Sequence, residues 1–157
     1  MLDLSIIIVS YNTRTLLKNC ILSIKKHKPE NVSYEIIVVD NVSKDGSVEE
    51  ILKLKSGIPS LKMIKNNENV GFSKANNQGI KIAKGKFLLL LNSDTVVLDN
   101  AISHMVEFMK IKTDAGVVGG KLVNRDGTSQ PSTGNFLGLW KTMLWLFGGE
   151  RLGFLKS

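Results

Sequence analysis

A run of five apolar residues that stops on a polar triplet constrains the fold of this chain more than any other segment. The run covers residues 87–91, and Asn92-Ser93-Asp94 follows it directly. An uninterrupted apolar run of this length predicts a strand buried on both faces of a parallel sheet. The triplet would then lie at the edge where ligands bind in open α/β sheets. A carboxylate placed there can hold a divalent metal against a phosphate.

Strands and helices alternate along the rest of the chain. Strands are predicted at 4–9, 34–39, 61–65 and 87–91, the third nearer the sheet edge because it mixes apolar and basic residues. Helices are predicted at 13–28, from 47 onward, at 73–84 and at 101–112. Ser47 and Glu50 have the spacing of a capping box, and Gly85 is expected to be a helix C-cap. The alternation predicts an α/β fold, a mainly parallel sheet flanked by helices with right-handed crossovers.

Composition and charge narrow the class of protein. With 43% apolar and 22% charged residues, the 157-residue chain has the composition of a globular domain. Its formal net charge of +7 favours anionic partners such as nucleotides. No basic stripe with interleaved aromatics is present, so nucleic acid is not expected as a partner. No signal peptide is expected, and no apolar stretch reaches the roughly 18–20 residues of a membrane span.

Cys20 is the only cysteine, so the chain has no internal disulfide and suits the reducing cytoplasm. A thiol can be a nucleophile, but cysteine is among the residues most often buried. We therefore expect Cys20 to be a small core residue on the first helix.

Polar residues follow each of the four predicted strands. Because parallel strands end at the same edge of a sheet, these groups are expected to converge on one crevice. Neither a Gly-x-Gly-x-x-Gly segment nor a P-loop is present, so a metal held by Asp94 is the candidate for binding a phosphate. Asp40 has two interpretations, an acceptor for a nucleobase N–H or a turn hydrogen bond. Gly71 and Gly79 likewise allow either close approach of a nucleotide or a bend and helix packing. The groups are 10–12, 40–47, 66–72 and 92–94.

Together these segments resemble the nucleotide-binding half of family 2 glycosyltransferases, the inverting enzymes with the GT-A fold. The matching pieces, in order, are Val9-Ser10-Tyr11-Asn12, Glu35-Ile36-Ile37-Val38-Val39-Asp40-Asn41 with Ser43 and Asp45-Gly46-Ser47, Asn69-Val70-Gly71-Phe72 leading to Ala75-Asn76-Asn77-Gln78-Gly79-Ile80, and Leu90-Leu91-Asn92-Ser93-Asp94-Thr95. The resemblance covers roughly residues 4–130. Within the family, the sequence looks like the rhamnosyltransferase-like enzymes that build bacterial surface polysaccharides. It implies a Rossmann-like half-domain that binds a nucleoside diphosphate sugar of the UDP or dTDP type. A glycan or lipid-linked acceptor hydroxyl would attack the sugar with inversion.

The resemblance also implies roles for particular residues. Asp94 stands in the family's Asp-x-Asp motif as the ligand of Mn²⁺ or Mg²⁺. Ser10, Tyr11 and Asp40 would line the base and ribose pocket, and Asn69, Gly71 and Asn76 would close over the nucleotide. The full implied nucleotide-binding set is Ser10, Tyr11, Asn12, Asp40, Asn69, Gly71, Asn76 and Ser93.

Two departures from the family pattern shape the expected domain organisation. The first Asp of the metal motif is Asn92 here, and no acid near the chain's end matches the family's general base, Glu150 included. The base is expected beyond Ser157, in an acceptor half. Residues 1–128 would then be the nucleotide-sugar-binding domain, and 129–157 an apolar tail that begins a truncated acceptor-binding half. The alternative is a non-catalytic nucleotide-binding module or partner subunit without the base.

The apolar stretch at 136–147 leaves two alternatives open. It is a packing element, or it is an interfacial helix that lies on the inner face of the cell membrane. An exposed apolar tail would also favour a homo-oligomer.

Overall fold

The computed structural model describes residues 2–131, as ten elements in chain order. Expectations for the tail at 136–147 and for Glu150 therefore lie outside the described residues. Predicted and observed bounds of the eight main elements differ by two residues or fewer at the predicted ends. The elements are β1 (Leu2–Ser10), α1 (Arg14–Lys26), β2 (Tyr34–Asp40), α2 (Ser47–Lys55), β3 (Leu61–Lys65), α3 (Phe72–Ile82), β4 (Gly85–Leu90), α4 (Ala101–Ile111), β5 (Leu122–Val123) and β6 (Ser129–Gln130).

The first four strands form one parallel sheet in the order β3-β2-β1-β4, which confirms the predicted mainly parallel α/β architecture. In register, Ile6 of β1 lies beside Ile36 of β2 and Leu89 of β4. β1 and β2 are the interior strands because each is paired on both sides, and β3 lies at one edge as its sequence predicts. The carboxyl ends of all four strands consequently lie at one edge of the sheet.

The sheet buries apolar residues on both faces, as the alternation of side chains along a strand requires. On the first face, Ile6 and Ile36 pack with Ile21 of α1, Ile51 of α2 and Ile102 of α4. A smaller cluster forms on the second face around α3, and its buried members are Ile7, Ile37, Val39 and Ala75. Three helices therefore cover one face, and α3 packs against the other.

β4 does not have the two buried faces that its apolar run predicts. Phe87 and Leu89 pack into the first-face core, whereas Leu88 and Leu90 are 46% and 52% exposed. The reason is its place in the sheet: within the described residues β4 pairs only with β1, and α3 packs across β1 and β2. Alternate side chains of β4 are therefore only about half covered by the described residues.

The ends of two helices differ from the predictions. The capping box is wrong, because Ser47 is already helical and Gly46 occupies the N-cap with a φ of 84°. Asp45 takes the capping role instead, since its Oδ1 accepts from both the backbone N–H and the hydroxyl of Ser47. The predicted C-cap is also wrong: α3 ends before Ala83, which is already extended, and Gly85 begins β4.

A buried carboxylate lies at the amino end of the sheet. Glu35 on β2 accepts hydrogen bonds from the Ser5 hydroxyl and from the Lys84 backbone N–H, each 2.7 Å long, and its other oxygen pairs with Lys62. Burial alone would raise the pKa of Glu35, but these partners together hold that pKa below its usual value. The Ser5 hydroxyl also accepts from the backbone N–H of Gly85. This cluster fastens the beginning of β4 to β1 and β2.

The chain divides into two compact units, one up to Gly119 and one from Gly120. In the described part of the second unit, β5 and β6 form an antiparallel hairpin. Its turn lies at Arg125-Asp126-Gly127, where the Gly127 N–H donates to the Asn124 carbonyl. Within residues 2–131 there is no helix with the length and apolar character needed to cross a membrane.

Candidate functional site

A cleft of about 370 Å³ opens at the carboxyl edge of the sheet. Four of the predicted site residues line it, namely Tyr11, Asn69, Ser93 and Asp94. They come from three different loops, so the predicted convergence of the strand ends is present in the structure. Six further residues complete the lining: Val9, Thr13, Leu16, Asn41, Phe72 and Asn92.

The other predicted site residues lie around the cleft rather than in its lining. Ser10 is buried, and its hydroxyl lies 2.9 Å from that of Thr13. Gly71 is the N-cap of α3, with a φ of 82° that favours glycine. Asn76, also buried, donates to the carbonyl of Phe72 one turn earlier. These residues support the loops that shape the cleft.

Asp40 is fully buried at the end of β2, and its two oxygens differ. Oδ2 accepts from the Ser43 backbone N–H at 3.0 Å, which is the turn hydrogen bond of the second interpretation. Oδ1 has no hydrogen-bond partner among the described residues. A buried acceptor without a donor is costly, and such groups point to a missing partner. The geometry therefore leaves one buried carboxylate oxygen without a donor among the described residues.

The loops after β1 and β2 are tied together by three hydrogen bonds. Asn12, in a left-handed conformation with a φ of 54°, donates its N–H to Ser43 and accepts from the N–H of Lys44. The N–H of Arg14 donates to Asp45 at 2.8 Å. Loss of some solvation opposes ionisation of the exposed Asp45, but hydrogen bonds from Ser47 and Arg14 outweigh it and lower its pKa. Asn12 thus fixes the loop geometry beside Tyr11.

A network of side-chain amides links the loops after β2 and β3 to α3. Asn66 donates to Asn41 at 2.8 Å and exchanges two hydrogen bonds with Gln78 of α3. Asn41 in turn donates to the Gly71 carbonyl at 3.4 Å. Sequence reasoning placed Asn41 and Asn66 at the strand ends but did not single out either one or Gln78. The only signal was an asparagine directly after each of two strands, which turns also favour.

Glycine and asparagine shape the start of α3 at the cleft. The Gly71 N–H donates to Asn69 Oδ1 at 3.0 Å, which orients the Asn69 amide where it lines the cleft. Gly79 serves helix packing, because a Cβ there would lie 2.6 Å from Cγ2 of the buried Ile7. Of the two interpretations of Gly79, the packing one is thus correct.

Asp94 lies in a tight turn just beyond the end of β4. The turn is closed on the Asn92 carbonyl, which accepts from the backbone N–H and the hydroxyl of Thr95. Asp94 itself is exposed to the cleft, and no described residue donates a hydrogen bond to its carboxylate. Within residues 2–131, no three potential ligands cluster as a complete metal site. One free carboxylate fits Mg²⁺ or Mn²⁺, which need few protein ligands when phosphates and waters supply the rest.

Cys20 is a core residue on α1, as predicted, and it lies directly beneath this turn. Its thiol is buried on α1 and lies 3.7 Å from the carbonyl oxygen of Asn92. Burial raises the pKa of Cys20 to about 11, so the reactive thiolate is scarce at neutral pH. A nucleophilic role is therefore not supported.

Comparison with known proteins identifies the family. The family model for glycosyl transferase family 2 matches residues 5–156. The chain is 32% identical over 133 residues to glycosyltransferase GlyG of Streptococcus pneumoniae serotype 4, covering 85% of this chain and 42% of GlyG. It is 30% identical to a poly(ribitol-phosphate) beta-glucosyltransferase of Bacillus spizizenii, covering 84% of this chain and 21% of that protein. The chain thus spans less than half the length of these relatives.

Solved structures show the same fold. S. aureus TarS 1-349 in complex with UDP-GlcNAc matches with a TM-score of 0.65 and 24% identity, over 71% of this chain and 32% of that one. Mannosyltransferase PcManGT from Pyrobaculum calidifontis, in complex with GDP-Man and Mn²⁺, matches with a TM-score of 0.63 and 20% identity. That match covers 69% of this chain and 34% of the other. The likeness to these two structures confirms the predicted GT-A fold.

Proposed function

The chain belongs to glycosyl transferase family 2, and we propose that it is the donor-binding part of an enzyme that transfers a sugar from a nucleoside diphosphate sugar to an acceptor hydroxyl. Transfer would invert the anomeric configuration and would serve the synthesis of polysaccharide or cell-surface glycan. The observation that carries this proposal is that two carboxylates in different surroundings lie at the same edge of the sheet. The unpartnered oxygen of Asp40 lies at one strand end, and the free carboxylate of Asp94 lies at another.

The Asp40 end suits the nucleoside. Its unpartnered Oδ1 can accept an N–H of a pyrimidine base, once the base has entered beside the exposed ring of Tyr11. Tyr11 is half-exposed and lines the cleft, so it offers an apolar face and a hydroxyl to the base or ribose. Asn69 adds an amide that is already oriented by Gly71. We propose Ser10, Asn12, Gly71 and Asn76 as supports of this end, and Ser93 as a contact to the nucleotide.

The Asp94 end suits the diphosphate. A bound divalent cation would neutralise the charge that grows on the nucleoside diphosphate as the sugar leaves. Asp94 would hold that cation with one carboxylate, and the diphosphate and waters would complete its coordination. We propose manganese or magnesium for this role, with support from the Mn²⁺ in the PcManGT complex. The net charge of +7 also favours an anionic donor.

The acceptor hydroxyl needs a general base that is not in the described cleft. Among its described lining residues Asp94 is the sole carboxylate, and that side chain is assigned to the cation. Inverting transfer requires a base on the acceptor side of the sugar. We therefore propose that the base belongs to an acceptor half outside residues 2–131. The chain's coverage of less than half of its relatives is in keeping with this proposal.

The same observation favours a second candidate, a nucleotide-binding module without transfer activity. Both candidates predict nucleotide binding, and product formation separates them. As donors we propose UDP or dTDP sugars, and UDP is supported by the TarS complex with UDP-GlcNAc. We propose that the reaction takes place in the cytoplasm, where a single buried cysteine stays reduced. We propose a glycan or a lipid-linked sugar as the acceptor.

A thermal-shift titration tests the nucleotide site. The chain would be titrated with uridine, thymidine and guanosine diphosphates, each with and without manganese. A ligand present at about 100 times its Kd stabilises the folded state by about 2.7 kcal/mol. We expect a manganese-dependent rise in melting temperature for one of them, and loss of that rise in Asp94→Ala. Asp114→Ala is the matched control, because Asp114 is also an exposed aspartate but lies outside the cleft lining. No rise with any nucleotide would refute the proposal.

A further inference from the structure

We propose that Ser23 is a positioning residue that holds the Asp94 turn in place from beneath, together with the Cys20 thiol one turn earlier on α1. This inference rests on the proposed function, since the position of Asp94 matters only where it holds a cation. Neither side chain lines the cleft. Both are buried on α1 and face the segment that follows β4.

Ser23 has an unusual use for a serine inside a helix. Its hydroxyl donates to the Cys20 carbonyl at 2.7 Å, which is the common local bond of a helical serine. The same oxygen also accepts the backbone N–H of Val97 at 2.9 Å, 74 residues further along the chain. Ser23 and Val97 are each 7% exposed, so water cannot easily replace this bond. Ser23 thus fixes the backbone of the segment three residues after Asp94.

Cys20 supports the other side of the same turn. Its Sγ lies 3.7 Å from the Asn92 carbonyl oxygen and 3.9 Å from the Thr95 hydroxyl. Thiols are weak donors, so this contact contributes less than the Ser23 bond. The turn is therefore held at two points, one before Asp94 and one after it, and α1 supplies both.

The same helix also carries the nucleoside end of the cleft. α1 begins at Arg14, directly after Thr13, and Thr13 and Leu16 both line the cleft. The hydroxyl of Thr13 lies 2.9 Å from that of Ser10, at the end of β1. α1 consequently fixes the distance between the nucleoside end and the Asp94 turn.

Asp94 depends on such support because no described residue donates a hydrogen bond to its carboxylate. A cation must lie close to its ligand oxygen while the diphosphate is held elsewhere in the cleft. Loss of the residues that orient a metal ligand typically lowers metal affinity about 10- to 100-fold. We expect Ser23→Ala to reduce the manganese-dependent gain in nucleotide affinity by about 10-fold. Affinity without manganese should stay within about twofold.

The test measures uridine diphosphate affinity with and without manganese in the full chain, by calorimetry. Ser5→Ala is the matched control, because Ser5 is also a buried serine whose hydroxyl accepts a backbone N–H of the β4 region, that of Gly85. Ser5 lies at the opposite end of the sheet, so its loss should destabilise the fold without changing the manganese effect. Hydrogen exchange of the Val97 amide gives a second readout and should become faster in Ser23→Ala alone.

The outcomes separate this inference from the proposed function. A manganese effect in Ser23→Ala equal to that of the wild type would overturn the inference, as would an equal loss in Ser5→Ala. If Ser23→Ala does not fold, Ser23→Cys preserves the core volume with a poor acceptor and should lose the manganese effect likewise. A wild-type chain that binds neither uridine, thymidine nor guanosine diphosphate with manganese refutes the proposed function itself, and the inference falls with it.

Discussion

Gly85→Ala is expected to destabilise the fold strongly, because the first residue of β4 lies against the backbone of β1. A Cβ at this position would be 2.4 Å from the Leu4 carbonyl carbon and 2.4 Å from the Ser5 nitrogen. Neither atom can move aside, since Leu4 and Ser5 are buried in the interior strand β1. The start of β4 would have to shift away from β1.

The size of the effect follows from the contacts that such a shift would lose. The Gly85 N–H donates to Ser5, and the Lys84 N–H donates to the Glu35 carboxylate. A neutral buried hydrogen bond contributes about 1 kcal/mol and a charged one about 1.5–3 kcal/mol. Overpacking destabilises the fold by about 1–3 kcal/mol more. Alanine also reduces the conformational freedom of the unfolded chain, which stabilises the fold by about 0.4–1 kcal/mol. We expect a net loss of about 3 kcal/mol or more, which is about 10 °C in melting temperature for a domain of this size.

Urea unfolding followed by far-ultraviolet circular dichroism measures this loss. Gly116→Ala is the control, because a Cβ on Gly116 has no described atom within 4 Å and its φ is not positive. Its stability should stay within about 0.5 kcal/mol of the wild type. A C-capping glycine in the left-handed conformation would lose about 1–2 kcal/mol on the same change. A loss of about 2 kcal/mol or less in Gly85→Ala would therefore refute the close-approach argument.

Three further predictions concern carboxylates. Asp94→Ala should abolish the manganese-dependent part of nucleotide binding and leave the circular dichroism spectrum unchanged; calorimetry that finds an intact manganese effect would remove Asp94 from the metal site. Asp40→Ala should weaken nucleotide binding by about 10-fold or more, with and without manganese alike, because a charged hydrogen bond to the base is lost; weakening only with manganese would contradict its assignment to the base. The pKa of Glu35 is lowered in the folded state, so its stabilisation is present above its unfolded pKa of about 4.3 and is lost as the pH falls through the folded value. The urea midpoint of the wild type should therefore drop more between pH 5 and pH 3 than that of Glu35→Gln, and equal drops would show that Glu35 is not responsible.

Local patterns in the sequence predicted most of the fold. Apolar runs and helical spacing are short-range signals, and the predicted strand at 61–65 coincides with β3. The exposed side of β4 was missed because five apolar residues look the same in a central strand and at the end of a sheet. What separates these cases is which helix covers Leu88 and Leu90, and this depends on the path of α3 over β1 and β2.

The helix ends were missed for a related reason. A capping box and an Asx turn both need a short polar side chain near a helix start, and only backbone geometry shows that Asp45 rather than Ser47 does the capping. Gly85 followed the pattern of a C-cap, whereas its actual requirement is the closeness of Leu4, more than 80 residues away. Contacts between residues far apart in the chain leave no local pattern.

The residues of the candidate site were likewise predicted only in part. Tyr11, Asn69, Ser93 and Asp94 were found because parallel strands bring their ends together at one edge. Ser23 and Gln78 were not singled out, since each lies inside a helix, where a polar residue usually faces solvent. Their importance appears only when Val97 and Asn66 are found beside them.

The sheet order also gives the two ends of the cleft different local stabilities against unfolding. Ser5 pairs with Glu35 about 30 residues on, but with Leu88 about 80 residues on. By loop-closure entropy the second pairing costs about 0.9 kcal/mol more than the first. β4 also has alternate side chains that are about half exposed, so we expect it to detach before β2 in partial unfolding. The nucleoside end then stays assembled on β1 and β2 while the Asp94 turn is released, and amides of β4 should exchange with solvent sooner than those of β2.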